Sequence, residues 1–263
     1  MDLKYLCNKV IETSKEASVF IKQLELNFNY SKVLKKAKND LVSYVDIETE
    51  KLLVKNLKVI FPEAGFITEE KTNSETKEFN WIIDPLDGTT NFIHRIPTYC
   101  ISIALAKGSK IILGVVHEIN KDETFHTIEN DISYCNTQPI QTSKNPEISE
   151  SLIATGFPVN EFSALEGYKR ALEYFIRNTH GVRRLGSAAA DLCYVACGRF
   201  DGFFELNLKP WDVAAGALIV KNAGGIVTDF SGKDNWLFDK SIIATSTPIN
   251  KEFYKIITSC FKE

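Results

Sequence analysis

Short apolar strands alternate with helices through the second half of the chain, and this alternation constrains the fold more than any other feature. The predicted strands are 152–155, 182–185, 201–206, 226–229 and 242–245, and the predicted helices are 163–177, 187–198, 212–222 and 249–261. Each helix must bury its apolar stripe, and a sheet supplies the complementary apolar face. The second half is therefore expected to place helices on a sheet.

The first half opens with two helices and continues into another sheet. Apolar residues recur at helical spacing over 2–30 and 45–60, and Pro62 ends the second helix. Lys107-Gly108-Ser109-Lys110 separates two β-rich segments that read as a hairpin. The predicted strands here are 65–68, 79–84, 99–106 and 111–118. This half should form a partly antiparallel sheet, so the whole chain should layer helices on two sheets.

A polar stretch from Thr137 to Glu150 connects the two halves and shows no flexible linker. We expect a boundary near residue 138 that is a packed seam rather than a hinge. Residues 1–138 would form an α+β half and residues 139–263 an α/β half of one functional unit.

The overall charge gives no support to nucleic-acid or membrane binding. The formal net charge is −3 and the sequence pI is about 5.9, so no basic field would attract a phosphate backbone or an anionic membrane. An anionic ligand would need a local device, either metal ions or a helix N-terminus. The chain shows neither a membrane-length apolar run nor a signal-peptide layout at its start, so we expect a cytoplasmic protein.

The six cysteines are scattered rather than dense, and we expect free thiols. Cys193 and Cys197 lie four apart in a predicted helix, but no second Cys or His pair lies nearby to complete a zinc site. We interpret them as small buried helix residues.

The run from Trp81 to Phe92 carries the most chemical information. An apolar strand delivers Asp84 to its end, Pro85 breaks the ladder, and Asp87-Gly88 turns the chain toward a short helix that Thr89 or Thr90 could open. Two carboxylates held three residues apart repel each other unless a cation lies between them, and hard oxygen ligands favour Mg²⁺ or Mn²⁺. A plain β-turn with a capping aspartate is the alternative, and we favour the metal site.

Further acidic residues appear at two other element ends. Glu69-Glu70 follows a short strand, and only one of the two can face a shared site because successive strand side chains point to opposite faces. Asp212 opens an Ala/Gly-rich helix, where an N-cap and a metal ligand are equally consistent with the sequence. Near the turn, the Leu86 carbonyl could supply another oxygen ligand for the metal. The backbone amides of Gly88, Thr89 and Thr90 could bind a phosphate.

Three motifs together resemble the inositol monophosphatase family of magnesium-dependent, lithium-sensitive phosphatases. The resemblance covers nearly the whole chain and rests on Glu69-Glu70, on Asp84-Pro85-Leu86-Asp87-Gly88-Thr89-Thr90-Asn91-Phe92, and on Trp211-Asp212-Val213-Ala214-Ala215-Gly216 followed by Ala223-Gly224-Gly225. It implies a layered αβαβα sandwich of the inositol monophosphatase/fructose-1,6-bisphosphatase type, usually as a homodimer.

The resemblance also implies roles for individual residues. Two or three Mg²⁺ ions, with Mn²⁺ as a substitute, would be held by Glu69, Asp84, the Leu86 carbonyl, Asp87 and Asp212. Asp46 and Thr89 would activate a water, with Glu69 counted among the catalytic residues as well as the metal ligands. Lys36 matches the family's loop lysine, although Lys38 lies close by and Ser43 stands where many members carry threonine.

Substrate contacts are implied in the same way. The organic half of the ligand would meet Gly186, Ser187, Ala188 and Glu205, and the expected substrate contacts also include Gly88, Thr89 and Asp212. Arg183-Arg184 could meet a second anionic group or lie on the surface. We expect hydrolysis of a small phosphate monoester, with inositol monophosphate ahead of histidinol phosphate and fructose 1,6-bisphosphate. The alternative of another class is a partner-binding role in a transcription antitermination complex.

Overall fold

The computed structural model describes residues 1–28, 34–37, 40–158 and 162–261, with only the backbone described over 34–37 and 40–42. The described helices are α1 (Leu3–Leu26), α2 (Tyr44–Ile60), α3 (Thr89–Ile93), α4 (Leu165–Asn178), α5 (Ala188–Ala196), α6 (Pro210–Asn222) and α7 (Asn250–Phe261). None of them is both long and apolar enough to cross a membrane.

The larger sheet has seven strands, in the spatial order β3-β4-β5-β6-β7-β8-β9. Its parallel pair, β3 and β4, lies at one edge, and every other pairing is antiparallel. The strands are β3 (Gly65–Thr68), β4 (Phe79–Asp87), β5 (Cys100–Lys107), β6 (Lys110–Glu118), β7 (Glu123–Ile128), β8 (Ser133–Cys135) and β9 (Gln138–Ile140). A separate antiparallel pair, β1 (Leu34–Ala37) and β2 (Asp40–Val42), lies between α1 and α2 in the chain.

The smaller sheet has five strands in the order β11-β10-β12-β14-β13. Strand β10 pairs in parallel with both neighbours, whereas β14 runs antiparallel to β12 and β13. The strands are β10 (Leu152–Thr155), β11 (Gly181–Arg183), β12 (Gly202–Leu206), β13 (Gly225–Thr228) and β14 (Ser241–Ser246). The alternation of strands and helices in the second half is confirmed.

Three apolar cores join five layers. Helices α1 and α2 cover one face of the larger sheet, α5 and α6 lie between the two sheets, and α4 and α7 cover the outer face of the smaller sheet. Each sheet is thereby buried on both faces, which explains the continuous burial of strands such as β5. The expected αβαβα architecture is confirmed. All six cysteines are free, as expected.

The first half contains strands that the sequence analysis did not predict. Strands β8 and β9 are three residues long, too short to show an alternating pattern, and β9 lies inside the stretch interpreted as a polar connection. Strand β4 continues beyond Asp84 to Asp87, and its register with β5 shifts between these two residues. Pro85 lies within this shift. Proline has no N–H group to donate to a neighbouring strand, which accounts for the interruption of the pairing at this point.

Candidate active site

Helix α2 begins with a capping arrangement that fixes the position of Asp46. Oδ2 of Asp46 accepts hydrogen bonds from the Ser43 backbone N–H at 2.9 Å and from the Ser43 hydroxyl at 2.6 Å. The other carboxylate oxygen, Oδ1, accepts the Thr89 hydroxyl at 2.7 Å. Asp46 is fully buried, and burial raises its pKa while the Ser43 and Thr89 hydrogen bonds oppose that rise. The predicted Asp46–Thr89 pair is therefore in direct contact.

The end of β4 forms a rigid corner. Asp84 is only 2% exposed, and its Oδ1 accepts the Leu86 N–H at 2.9 Å. The Leu86 carbonyl accepts the Thr89 hydroxyl at 3.1 Å, so that hydroxyl lies between Asp46 and the corner. Helix α3 is capped by Gly88, whose φ of 103° suits glycine, rather than by the side chain of Thr89 or Thr90. The Thr89 hydroxyl is left to bond Asp46.

Asp87 connects this corner to the middle helical layer. Its Oδ2 accepts the Ser187 hydroxyl at 2.7 Å and the Ala189 N–H at 2.7 Å, at the first turn of α5. Ser187 is itself the N-cap of α5, because its hydroxyl oxygen accepts the Ala190 N–H. The predicted contact residue Ser187 is thus bonded to a predicted metal ligand.

The neighbouring predicted contacts lie at the same helix start. Gly186 has a φ of 90° and packs against Asn91, and Ala188 is the buried first residue of α5. The Asn91 amide donates to the carbonyls of Thr98 and Leu185, each at 2.7 Å, and so ties α3 to the segment preceding α5.

Asp212 enters from the first turn of α6, and its Oδ2 accepts the Lys209 N–H at 2.7 Å. Asp212 is therefore not the N-cap that the sequence allowed: the N-cap is Lys209, and Asp212 lies at the third helical position, where its side chain bonds back to the N-cap backbone. The positive ends of α5 and α6 both face acidic side chains, which favours negative charge at this place.

Electrostatic coupling shows which carboxylates share the site. Burial, followed by the charges of Glu69, Asp87 and Asp212, raises the pKa of Asp84 well above its ordinary value. Burial and the charges of Asp87 and Glu69 do the same for Asp212. Glu69, rather than Glu70, is the residue that acts on both. We call Glu69, Asp84, Asp87 and Asp212 the acidic cluster.

The acidic cluster fits a hard divalent cation. Asp87 and Asp212 each bond the protein through Oδ2, so among the described hydrogen bonds their second oxygens are not engaged. Within the described ranges, no three or more histidine, cysteine or carboxylate side chains are arranged as a group that could hold a metal ion as it stands. The support for a metal at this place is the charge and the donor type of the cluster, because an all-oxygen donor set suits Mg²⁺. The assignment of these ligands stays a prediction.

Glu205 on β12 lies at the edge of the cluster. A Cβ atom placed on Gly156 would lie 1.9 Å from the Glu205 carboxylate, so that carboxylate packs directly against the end of β10. Burial raises the pKa of Glu205 to about 8, and the Arg184 guanidinium opposes the rise. Arg184 also lies over the Phe157 ring, whereas Arg183 bonds the Val182 carbonyl. Of the two arginines, Arg184 is the one that acts on the site.

Sequence reasoning missed two buried acids beside the site. Glu50 lies on α2 one turn after Asp46, and both interrupt the apolar stripe of that helix. Asp191 lies within the otherwise apolar helix α5, and its Oδ1 has no hydrogen-bond partner among the described residues. Burial, then the charges of Glu205 and Asp87, raise the pKa of Asp191 well above its ordinary value. In both cases, an acidic residue within an apolar stretch of helix is the sequence feature that could have indicated a buried acid.

Only the backbone of the predicted loop lysine, Lys36, is described. Lys36 lies on β1, but its side chain is outside the described part of the structure, and Lys38 lies outside it altogether. Their roles stay predictions.

Without metal, the protein is expected to lose stability as pH rises from about 6.5 to 8. A carboxyl group whose pKa is higher in the folded than in the unfolded protein does not lower the free energy of unfolding at a pH below the unfolded pKa. It lowers that free energy progressively as pH rises, and the full reduction is reached above the folded pKa. Between pH 6.5 and 8 this applies to Glu205, whose folded pKa is about 8, because the cost of ionising Asp87 is already complete above its folded pKa of about 6. Burial lowers the pKa of His117 to about 4, and this opposite contribution is complete once pH exceeds the ordinary histidine value of 6.5.

Thermal unfolding in a chelator measures this effect. The melting temperature should fall by roughly 5 °C across that window, and Mg²⁺ should raise it more at the upper pH than at the lower. A melting temperature that stays level or rises in chelator would contradict the electrostatic description of the cluster.

Comparison with known proteins agrees with the fold. The sequence model of the inositol monophosphatase family matches residues 3–260. The Vibrio cholerae protein named Nus factor SuhB is 36% identical over 243 residues, covering 92% of this chain and 91% of that protein. Two solved structures are also similar. The extragenic suppressor protein suhB of Bartonella henselae has a TM-score of 0.89 at 35% identity, covering 95% of this chain and 97% of the other. The Thermotoga maritima IMPase has a TM-score of 0.88 at 33% identity, covering 95% and 96%. The chain therefore belongs to the inositol monophosphatase family.

Proposed function

We propose that this protein is a magnesium-dependent phosphatase that hydrolyses a small phosphate monoester, with inositol monophosphate as the leading substrate. The observation that carries the proposal is the acidic cluster, in which the charges of Glu69 and Asp87 raise the pKa of both Asp84 and Asp212 from three separate parts of the chain. A protein retains such mutual repulsion where a cation or a reaction requires it. Family membership supports the same conclusion.

The cluster would hold the metal ions, and the Leu86 carbonyl is a further oxygen donor at the same corner. When bound, Mg²⁺ neutralises charge on the phosphate oxygens and makes a nearby water more acidic. The first turns of α5 and α6 add the positive ends of two helices to the same place.

Asp46 and Thr89 would prepare the attacking water. The Thr89 hydroxyl donates its proton toward Asp46, which leaves its oxygen lone pairs to accept a proton from water. As that water attacks phosphorus in line with the ester oxygen, its proton passes through Thr89 toward the buried Asp46 carboxylate. The ester P–O bond breaks, and the departing alkoxide takes a proton from another water. No phosphoenzyme forms in this scheme.

A panel of substrates tests the proposal and the substrate preference together. We expect the purified protein with Mg²⁺ to release phosphate from inositol 1-phosphate faster than from histidinol phosphate, fructose 1,6-bisphosphate or 3′-phosphoadenosine 5′-phosphate. A strong preference for another member of the panel would retain the phosphatase and replace the substrate. Release from none would remove the enzymatic proposal.

Gly156→Ala should weaken the binding of hydroxyl-bearing substrates. The added methyl group would occupy the position of the Glu205 carboxyl group, and loss of its hydrogen bonds to substrate hydroxyls raises KM by about tenfold. The turnover number should change less, because the acidic cluster is untouched. Glu205→Gln should give the same pattern, and an aryl phosphate without hydroxyl groups is the control substrate. An equal rise in KM for that control would contradict a hydroxyl-binding role for Glu205.

A second candidate function is assembly with transcription partners. The Vibrio cholerae relative is named a Nus factor, and it matches this chain over nearly its full length. A stoichiometric complex captured from cell extract that survives Asp87→Asn would support a partner role independent of the chemistry.

Homodimer formation and lithium sensitivity are part of the phosphatase proposal. Light scattering tests the first, and lithium titration of activity tests the second.

A further inference from the structure

We propose that Glu50 is a positioning residue that holds the turn after β3 and thereby keeps Glu69 in the acidic cluster. The inference rests on the proposed function, since it assigns Glu69 to metal binding. Glu50 itself does not belong to the cluster, and its role would be exerted through backbone groups of the segment that carries Glu69.

The Glu50 carboxylate is completely buried and fully bonded to one short segment. Its Oε1 accepts the Thr68 hydroxyl at 2.9 Å, the Thr72 N–H at 2.8 Å and the Thr72 hydroxyl at 2.7 Å. Its Oε2 accepts the Glu70 N–H at 2.7 Å. Burying a carboxylate is costly, and hydrogen bonds to the charged form offset that cost. All four donors belong to residues 68–72.

Glu69 lies between two fixed backbone points. Its own N–H bonds the Ile83 carbonyl of β4 at 3.3 Å, and the next N–H, that of Glu70, bonds Glu50. The direction of the Glu69 side chain follows from these two anchors, because the backbone on either side of its Cα cannot rotate freely. Strand β4, which also carries Asp84, and helix α2, which carries Asp46, therefore jointly set the place of Glu69.

The turn contains a strained residue that needs external support. Lys71 has a φ of 56°, a left-handed conformation that a lysine seldom adopts. The N–H groups on either side of it, those of Glu70 and Thr72, are both held by Glu50. Without that carboxylate, the turn can relax to an extended path and carry Glu69 away from the cluster.

Glu50→Gln is the main test, because it keeps the shape and removes the charge. The amide nitrogen of glutamine replaces one carboxylate oxygen and cannot accept a hydrogen bond, so the groups that donate to that oxygen lose their acceptor. We expect the Mg²⁺ dissociation constant, measured by calorimetry, to rise about 10–100-fold, as for other partners that orient metal ligands. The turnover number at saturating Mg²⁺ should stay close to that of the parent. Glu48→Gln is the matched control, since this exposed residue on the same helix forms an ion pair with Lys51 and should leave Mg²⁺ binding unchanged.

Hydrogen exchange of the metal-free protein gives a readout that does not depend on activity. The amides of Glu70 and Thr72 should lose protection in Glu50→Gln, while amides of β5 keep theirs. Thr72→Val removes only one hydroxyl bond from an exposed residue, so it remains informative if Glu50→Gln fails to fold. We expect a few-fold rise in the Mg²⁺ dissociation constant for this variant.

Unchanged Mg²⁺ affinity in Thr72→Val and in a folded Glu50→Gln protein would overturn the inference. So would a lower melting temperature with unaltered affinity, because that is the result of a purely structural role. Failure of the parent protein itself to bind Mg²⁺ would instead overturn the proposed function.

Discussion

Asp87→Asn is expected to reduce phosphate release more than about a hundredfold while the protein folds normally. Loss of a residue that only orients a metal ligand costs about 10–100-fold, so loss of a ligand should cost more. The amide oxygen can still accept the Ser187 and Ala189 hydrogen bonds that join this corner to α5. Phosphate release at saturating substrate, measured across a range of Mg²⁺ concentrations, is the relevant assay.

The metal-free melting temperature of the same variant separates lost chemistry from lost structure. Burial raises the pKa of Asp87 to about 6, so a neutral amide removes a charge that is costly at neutral pH. The melting temperature in chelator should therefore equal or exceed that of the parent. Asp122→Asn, at an exposed site away from the cluster, is the control for the same chemical change. Near-normal turnover in Asp87→Asn would contradict the metal assignment.

Thr89→Val is expected to lower the turnover number by about 10²–10⁴-fold, the range for a group that moves a proton in the transition state. Valine keeps the branched shape and removes the hydroxyl that joins Asp46 to the Leu86 carbonyl. The Mg²⁺ dissociation constant should change little, because none of the four residues of the acidic cluster is altered. This separation of turnover from metal affinity distinguishes Thr89 from Asp87.

The pair can be tested as a unit. Asp46→Asn should give a loss of similar size, and the double variant should lose little more than either single one, because both residues act on the same proton. Thr90→Val changes the exposed neighbouring threonine in the same way and should leave turnover intact. Losses that multiply in the double variant would show that Asp46 and Thr89 act separately.

The site residues that could be predicted from the sequence are those that lie at the ends of predicted strands and helices. Asp84 and Asp87 follow an apolar strand directly, and Asp212 opens a helix, so each has a local signal. Their convergence does not follow from any local signal, because it depends on α6 lying between two sheets. The resemblance to the family supplied that arrangement, and it also selected Glu69 over Glu70.

The residues that sequence reasoning missed act through contacts distant in the chain. Gly156 leaves room for the carboxylate of Glu205, which packs against it. The two residues are far apart in the chain, so the sequence does not indicate this contact. Glu50 bonds backbone groups about twenty residues away, in a turn whose path no propensity predicts. The short strands β8 and β9 were missed for a related reason, since they form by pairing with a neighbour rather than by their own pattern.

If the acidic cluster binds Mg²⁺ in order to hydrolyse a phosphate monoester, phosphate release must depend on that ion. Phosphate release from inositol 1-phosphate, titrated with Mg²⁺ after chelator treatment, tests this most directly. We predict no release in chelator and a saturable rise with Mg²⁺. Equal release with and without Mg²⁺ would contradict the role of the cluster, and no release at any Mg²⁺ concentration from this or any other phosphate monoester would contradict the enzyme itself.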